Sequence, residues 1–355
     1  MNTGSAGMTG ELNQRERTVL HYVVRDFIDT ATPIGSRYIS KRHEDVLGLS
    51  SASIRNVMSD LEYLGYINHP HTSAGRVPTD LGYRFYLDSL IKLEALSETE
   101  QQAIREALTS AEAEDDLLKE SSRLMGKISR QICVITPPHL RSGTFEKIEL
   151  VGISGARVMA IISIKSGLVR TMMMEVASEI PRDKLEGIAR FLNERLGGLT
   201  IQEIRDSFVE RVKDGAGEDS GLVRLFIDSV DKLFPTSRSE RLHISGTDTI
   251  IEQPEFLNPT DFRGIIELIN NEEIIIHVLA KHEKPPPGVK VMVGEENQES
   301  KLSSYSVITS SYTTGEVTGT IGLIGPKRMN YSRVIPLVDY VARTISDMFS
   351  ATNRQ

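Results

Sequence analysis

At 355 residues and 39% hydrophobic content, the chain is long enough for two or three domains with ordinary cores. No run approaches the ~18 uninterrupted apolar residues of a membrane span, and the polar stretch 1–10 lacks the apolar segment of a secretory signal and reads as a disordered leader. The formal net charge is −8, and the lone cysteine, Cys133, excludes an internal disulfide framework and a cysteine-built zinc site, which suits a reducing cytoplasm.

Asn13 followed by Glu16 reads as a capping box opening a helix whose apolar face is Leu20, Val23, Val24, Phe27 and Ile28. Thr32, Pro33, Ile34 and Gly35 break that pattern, and Ser36 is placed to cap a short second helix through Arg42. A third helix starts at Ser50 or Ser51 and ends before Gly65, with Ile54, Val57, Met58, Leu61 and Leu64 as its buried stripe. Its other face carries Ser51, Ala52, Arg55, Asn56 and Ser59, side chains short enough, or with the right donors and acceptors, to enter a major groove. In isolation a solvated helix face would look the same. Tyr66-Ile67-Asn68 then reads as a strand, and Pro70 to Pro78 as a loop with Gly75 beside Arg76.

Helix, turn, helix, strand and basic-tipped loop is the order of a winged helix over 11–92. Basic and acidic residues are equal in number from Leu12 to Leu90, so the pattern and not the charge points to double-stranded DNA. The expected contacts are Ser36 and Arg37 on the second helix and Ser51, Ser53, Arg55, Asn56 and Ser59 on the third. On the loop they are His71, Thr72, Ser73 and Arg76, with His71 and Arg76 against the backbone or in the minor groove. His69 and His71 have no third ligand nearby, so no metal is expected.

Residues 93–130 read as two helices linking domains, with the acidic run Glu112, Glu114, Asp115 and Asp116 on a solvated face. Strands follow at Ile132–Ile135, Ile148–Ser154, Arg157–Ile164 and Leu168–Val176, the middle two as a hairpin. Helical patterns occupy Arg182–Leu196, Ile201–Val212 and Leu222–Phe234. After Asp261–Asn270, strands return at Glu273–Ala280, Val289–Val293, Tyr305–Tyr312 and Val317–Ile324, and Val334–Phe349 closes the chain as a helix. Strands, then helices, then strands indicate a multidomain α+β chain: one α+β domain over 131–179 and 273–355, interrupted by a mostly helical insertion over 180–272.

The run Ser50-Ser51-Ala52-Ser53-Ile54-Arg55-Asn56-Val57-Met58-Ser59-Asp60-Leu61 and the segment Pro70-His71-Thr72-Ser73-Ala74-Gly75-Arg76-Val77-Pro78-Thr79-Asp80 resemble the HrcA family of bacterial heat-inducible transcription repressors. So do Gly82-Tyr83-Arg84-Phe85-Tyr86, Pro33-Ile34-Gly35-Ser36 and the distant block Gly319-Thr320-Ile321-Gly322-Leu323-Ile324-Gly325-Pro326-Lys327-Arg328-Met329-Asn330-Tyr331. The resemblance implies that the α+β domain is GAF-like and that the insertion is a dimerisation domain. It also implies a homodimer on the inverted-repeat operator CIRCE, and activity supported by the chaperonin GroEL until heat stress withdraws it.

No catalytic constellation emerges, and neither an enzyme nor a cofactor is expected. Gly152-Ile153-Ser154-Gly155 lacks the spacing and the lysine of a phosphate loop, and Gly322 to Gly325 read as strand-end glycines. His243 has no nucleophile arrangement, and His277 and His282 have no ligand spacing. Met172, Met173 and Met174 read as core filler. The alternative, that they line a pocket for a small metabolite controlling the repressor, rests on fold analogy alone.

Overall fold

The computed structural model describes residues 12–70, 75–111, 113–138, 143–154, 157–165, 167, 169–176, 179–212, 242–280 and 288–352. The leader 1–10, His71, Thr72, Ser73, Glu112, the expected helix Leu222–Phe234, His282 and the prolines at 285–287 lie outside the described residues.

Helix α1 (Gln14–Thr30) begins where expected: the Asn13 side chain accepts from the N–H groups of Arg15 and Glu16, and Glu16 accepts in return from the Asn13 N–H at 2.8 Å. Helix α2 spans Ser36–Arg42, but Ser36 is its first helical residue and does not cap it. The reason lies upstream. Ile34 and Arg76 exchange backbone hydrogen bonds of 2.8 Å each, which hold the chain extended as far as Gly35, so the cap position falls on the glycine. A short α3 (Glu44–Leu47) leads to α4 (Ser51–Tyr63), where Ser50 accepts from the Ser53 N–H at 3.1 Å.

The end of α4 explains why Leu64 is partly exposed (37%) and not part of the buried stripe. Gly65 adopts a left-handed φ of 83°, and the N–H groups of Tyr66 and Gly65 bond back to the carbonyls of Leu61 and Glu62. That paired closure turns the chain and buries Tyr66 in the place Leu64 was expected to fill. Strands β1 (Ile67–Asn68) and β2 (Val77–Pro78) pair antiparallel, and α5 (Asp80–Phe85) continues into a wide turn over Tyr86–Leu90. This is the element order of a winged helix.

Helices α6 (Glu98–Thr109) and α7 (Glu114–Ser129) were expected to link domains; instead they pack on the body of the molecule. Leu117, Leu118 and Met125 share a core with Cys133, Ile135, Ile308 and the final helix. The strands are β3 (Ile132–Ile135), β4 (Phe145–Ser154), β5 (Arg157–Ile164), β6 (Val169–Glu175), β7 (His243–Ser245), β8 (Lys290–Val293), β9 (Tyr305–Thr314) and β10 (Val317–Pro326). Five of them form an antiparallel sheet in the order β7-β3-β10-β9-β8. Helices α8 (Arg182–Leu196) and α9 (Ile201–Val212) precede β7, and α10 (Pro259–Ile269) and α11 (Glu272–Ala280) follow it. Helix α12 (Tyr331–Thr352) and α7 cover one face of the five-stranded sheet, and α10 and α11 the other.

The expected strand Glu273–Ala280 is therefore the helix α11. Its β-branched residues suggest a strand by composition, but Ile275, Val278 and Leu279 are the buried positions, at i, i+3 and i+4. Gly322 lies within β10 and not at its end, because Leu279 presses on it: a Cβ there would sit 2.5 Å from a Leu279 methyl carbon.

The division of the chain also shifts. Strand β3 already has β7 on one edge and β10 on the other, so the hairpin that follows has no edge to join. Strands β4, β5 and β6 form their own sheet, with α8 and α9 on one face around Phe145, Ile148, Leu192, Ile204 and Phe208. The inserted unit thus starts near Gly143, not 180, and carries a sheet as well as helices; the body resumes at β7, not at 273. Among the described residues no helix is long and apolar enough to cross a membrane.

Candidate nucleic-acid interface

Helix α4 buries Ile54, Val57, Met58 and Leu61 against α1 and α2 and so fixes which side chains face outward. Ala52, Arg55, Asn56 and Ser59 are exposed on that outer side, with Ser51 and Ser53 half-buried at the helix start. The side chains of Arg55 and Asn56 make no hydrogen bond or ion pair to another described residue, which leaves their donors and acceptors open to a base edge. Ser59 is turned inward on its own helix, donating to the Arg55 carbonyl at 3.1 Å, and the Ser53 hydroxyl sits 3.0 Å from that of Ser50.

Ser36, expected among the DNA contacts, is placed differently. It is buried, and its hydroxyl lies 3.2 Å from that of Ser51, so it joins α2 to α4. Arg37, one residue on, is exposed and has no partner among the described residues.

Arg76 lies beside α4 in an ion-pair cluster. Its guanidinium reaches Glu62 of α4 at 2.8 Å and contacts the His69 ring, whose other nitrogen contacts Glu62. A guanidinium can only donate, so His69 Nε2 accepts from Arg76 and Nδ1–H donates to the Glu62 carboxylate. His69 thus bridges Arg76 and Glu62, and among the described residues no group of three or more His, Cys, Asp or Glu is placed to hold a metal. Sequence reasoning passed over Glu62 because its partners lie across the wing. Glu62→Gln is expected to release Arg76 and tighten binding to any duplex several-fold at fixed salt, measured by fluorescence anisotropy. Unchanged or weaker binding would mean that Arg76 works where it now stands.

Of the methionines considered for a ligand pocket, Met174 is buried in the core of the inserted unit, Met172 packs against that core and Met173 is half exposed on the opposite face. None lies in the five-stranded body. His243 lies within β7, 3.2 Å from Asp115.

A sequence profile described as HrcA protein C terminal domain matches residues 115–335. The heat-inducible transcription repressor HrcA of Chlorobium phaeobacteroides (strain BS1) is 38% identical over 97% of this chain and 100% of its own length. The protein of the same name from Chlorobium chlorochromatii (strain CaD3) is 39% identical over 97% of this chain and 99% of its own. A crystal structure of a hypothetical protein at 2.2 Å resolution covers 96% of this chain and 100% of that one, at 27% identity and a TM-score of 0.59. Relatives this close over nearly the whole length identify a class of regulator and not of enzyme: the chain belongs to the HrcA family of heat-inducible transcription repressors.

Proposed function

We propose that the protein represses heat-shock genes in the cytoplasm by binding, as a homodimer, the inverted-repeat operator CIRCE with the outer face of α4. The carrying observation is that Arg55 and Asn56 project from an otherwise anchored helix with no partner among the described residues. In a dimer the two copies of α4 would enter successive major grooves. Chaperonin support, withdrawn under heat stress, is the control that membership of the family suggests.

The inserted unit supports the dimer. On the face of its sheet away from α8 and α9, Val151, Met159 and Met173 stand in register across three strands. Val151, Ile153, Val169 and Met173 are exposed there by 39%, 47%, 59% and 50%. A flat apolar sheet face of this kind is suited to burial against its own copy.

The test is binding of the purified chain to a CIRCE duplex and to a scrambled duplex at fixed salt, with and without GroEL. A preference of about a thousand-fold or more for CIRCE, strengthened by GroEL, is expected. Equal binding to both duplexes would overturn the operator; a preference indifferent to GroEL would overturn the chaperonin.

A further inference from the structure

Two segments far apart in sequence, 79–86 and 325–331, meet in space. Asp80 at the start of α5 pairs with Lys327 at 2.6 Å, and its second oxygen accepts from the Glu295 N–H at 3.1 Å. Gly294 makes that approach possible: at its φ of 58°, a Cβ would lie 1.9 Å from the Asp80 carboxylate. One turn on, Arg84 donates to both oxygens of Glu296 and, at 2.7 Å, to the Val291 carbonyl. Burial opposes the charge on Glu296, but Arg84 and the Val293 N–H outweigh it and hold its pKa below the ordinary carboxylate value; the bond to Glu296 likewise raises that of Arg84. Between these pairs Tyr83 meets Tyr331 edge to face at 6.2 Å, and the Tyr331 hydroxyl is held between Ser306 and the Lys327 carbonyl.

We infer that this latch sets the angle of the winged helix on the body, and through it the half-site spacing that a dimer accepts. The inference rests on the dimeric operator-binding reading above. The chemistry suits a device for register. The charged groups are only half-buried, with Asp80, Lys327, Arg84 and Glu296 side chains 27–33% exposed, so they add little bulk stability. A two-pronged arginine–carboxylate pair specifies direction as well as distance. Arg328 adds a third point, donating to the Ile28 carbonyl near the end of α1 at 3.1 Å and to Glu255 at 3.0 Å. Helices α1, α4 and α5 belong to one buried cluster that runs on into the body through Tyr331, so a shift at the latch carries α4 with it. Asp80, Arg84 and Lys327 are positioning residues in this sense; none is assigned to DNA.

The test uses the full chain with a single half-site duplex, the native inverted repeat, and repeats whose spacer is changed by about half a helical turn (about 5 base pairs). The wild type is expected to prefer the native spacer strongly. Arg84→Ala and Lys327→Asp are each expected to lose about ten- to hundred-fold on the native repeat, to flatten the spacer preference, and to keep half-site affinity within about two-fold. Asp80→Lys combined with Lys327→Asp is expected to regain part of the preference. A wild-type spacer profile in both single variants would overturn the inference. So would an equal loss on the half-site, which would place these residues in the folding of the winged helix. A wild type that binds the repeat no better than one half-site would overturn the dimeric reading itself, and the inference with it.

Discussion

Arg55→Ala and Asn56→Ala are each expected to weaken operator binding by ~1–3 kcal/mol, about 5- to 150-fold, while binding to a scrambled duplex stays nearly unchanged. Both residues stand on the exposed side of α4, whose other side is locked by Ile54, Val57, Met58 and Leu61, so truncation removes a contact without loosening the helix. Each loss belongs to one base position: the variant that loses a contact no longer discriminates there, and a panel of single-base operator changes reads this out. Arg37 supplies the contrast. It is exposed at the start of α2 with no partner among the described residues, and Arg37→Ala is expected to weaken all duplexes evenly and reduce the salt slope by about one. Uniform losses from all three substitutions would contradict the assignment of α4 to base reading.

Gly82→Ala is expected to be strongly damaging to residues 14–90, costing about 3 kcal/mol or more. The added methyl would sit 2.1 Å from the Tyr66 carbonyl oxygen. That oxygen cannot retreat, since Tyr66 is tied by its N–H to Leu61 and by its carbonyl to the Thr79 N–H. Displacing it would unseat the end of α4 and the start of α5 together. Two other glycines calibrate the effect. Gly65→Ala meets open space but must adopt a φ of 83°, for about 1–2 kcal/mol; Gly35→Ala meets neither obstacle and loses only glycine's advantage at the cap of α2, for about 1 kcal/mol or less. Hydrogen exchange of amides in residues 14–90 measures the order locally, without assuming that a multidomain chain unfolds in one step. Equal protection in the Gly82 and Gly35 variants would rule out the steric account.

What could be read from the sequence depended on whether its cause was local. The Asn13–Glu16 box, the Ser50 cap and the Thr200–Glu203 bonds at the start of Ile201–Val212 come from side chains within a few residues of the backbone they govern, and Arg182–Leu196 lies between Pro181 and Gly197. The outer face of α4 was legible because its inner face repeats with helical period. Sheet membership was not: whether β4 joins β3 depends on β7 and β10, which arrive much later in the chain. The capture of Arg76 by Glu62 and the pairing of Asp80 with Lys327 leave no periodic trace, because a single charge has no pattern. For α11, β-branched composition suggested a strand, and only the buried face shows the helix.

The sheet order has a consequence for the chain during its synthesis. Strand β3 is buried at every residue, yet both of its neighbours are translated after the whole inserted unit, and β10 comes almost last. At about 5–20 residues per second, Ile132–Ile135 and the stripe of α7 remain uncovered on the order of ten seconds or more. The inserted unit can meanwhile close around its own core. Each new copy of the protein therefore passes through a state with a finished middle and an open sheet, and its yield depends on how well that apolar edge is shielded until the C-terminal strands emerge.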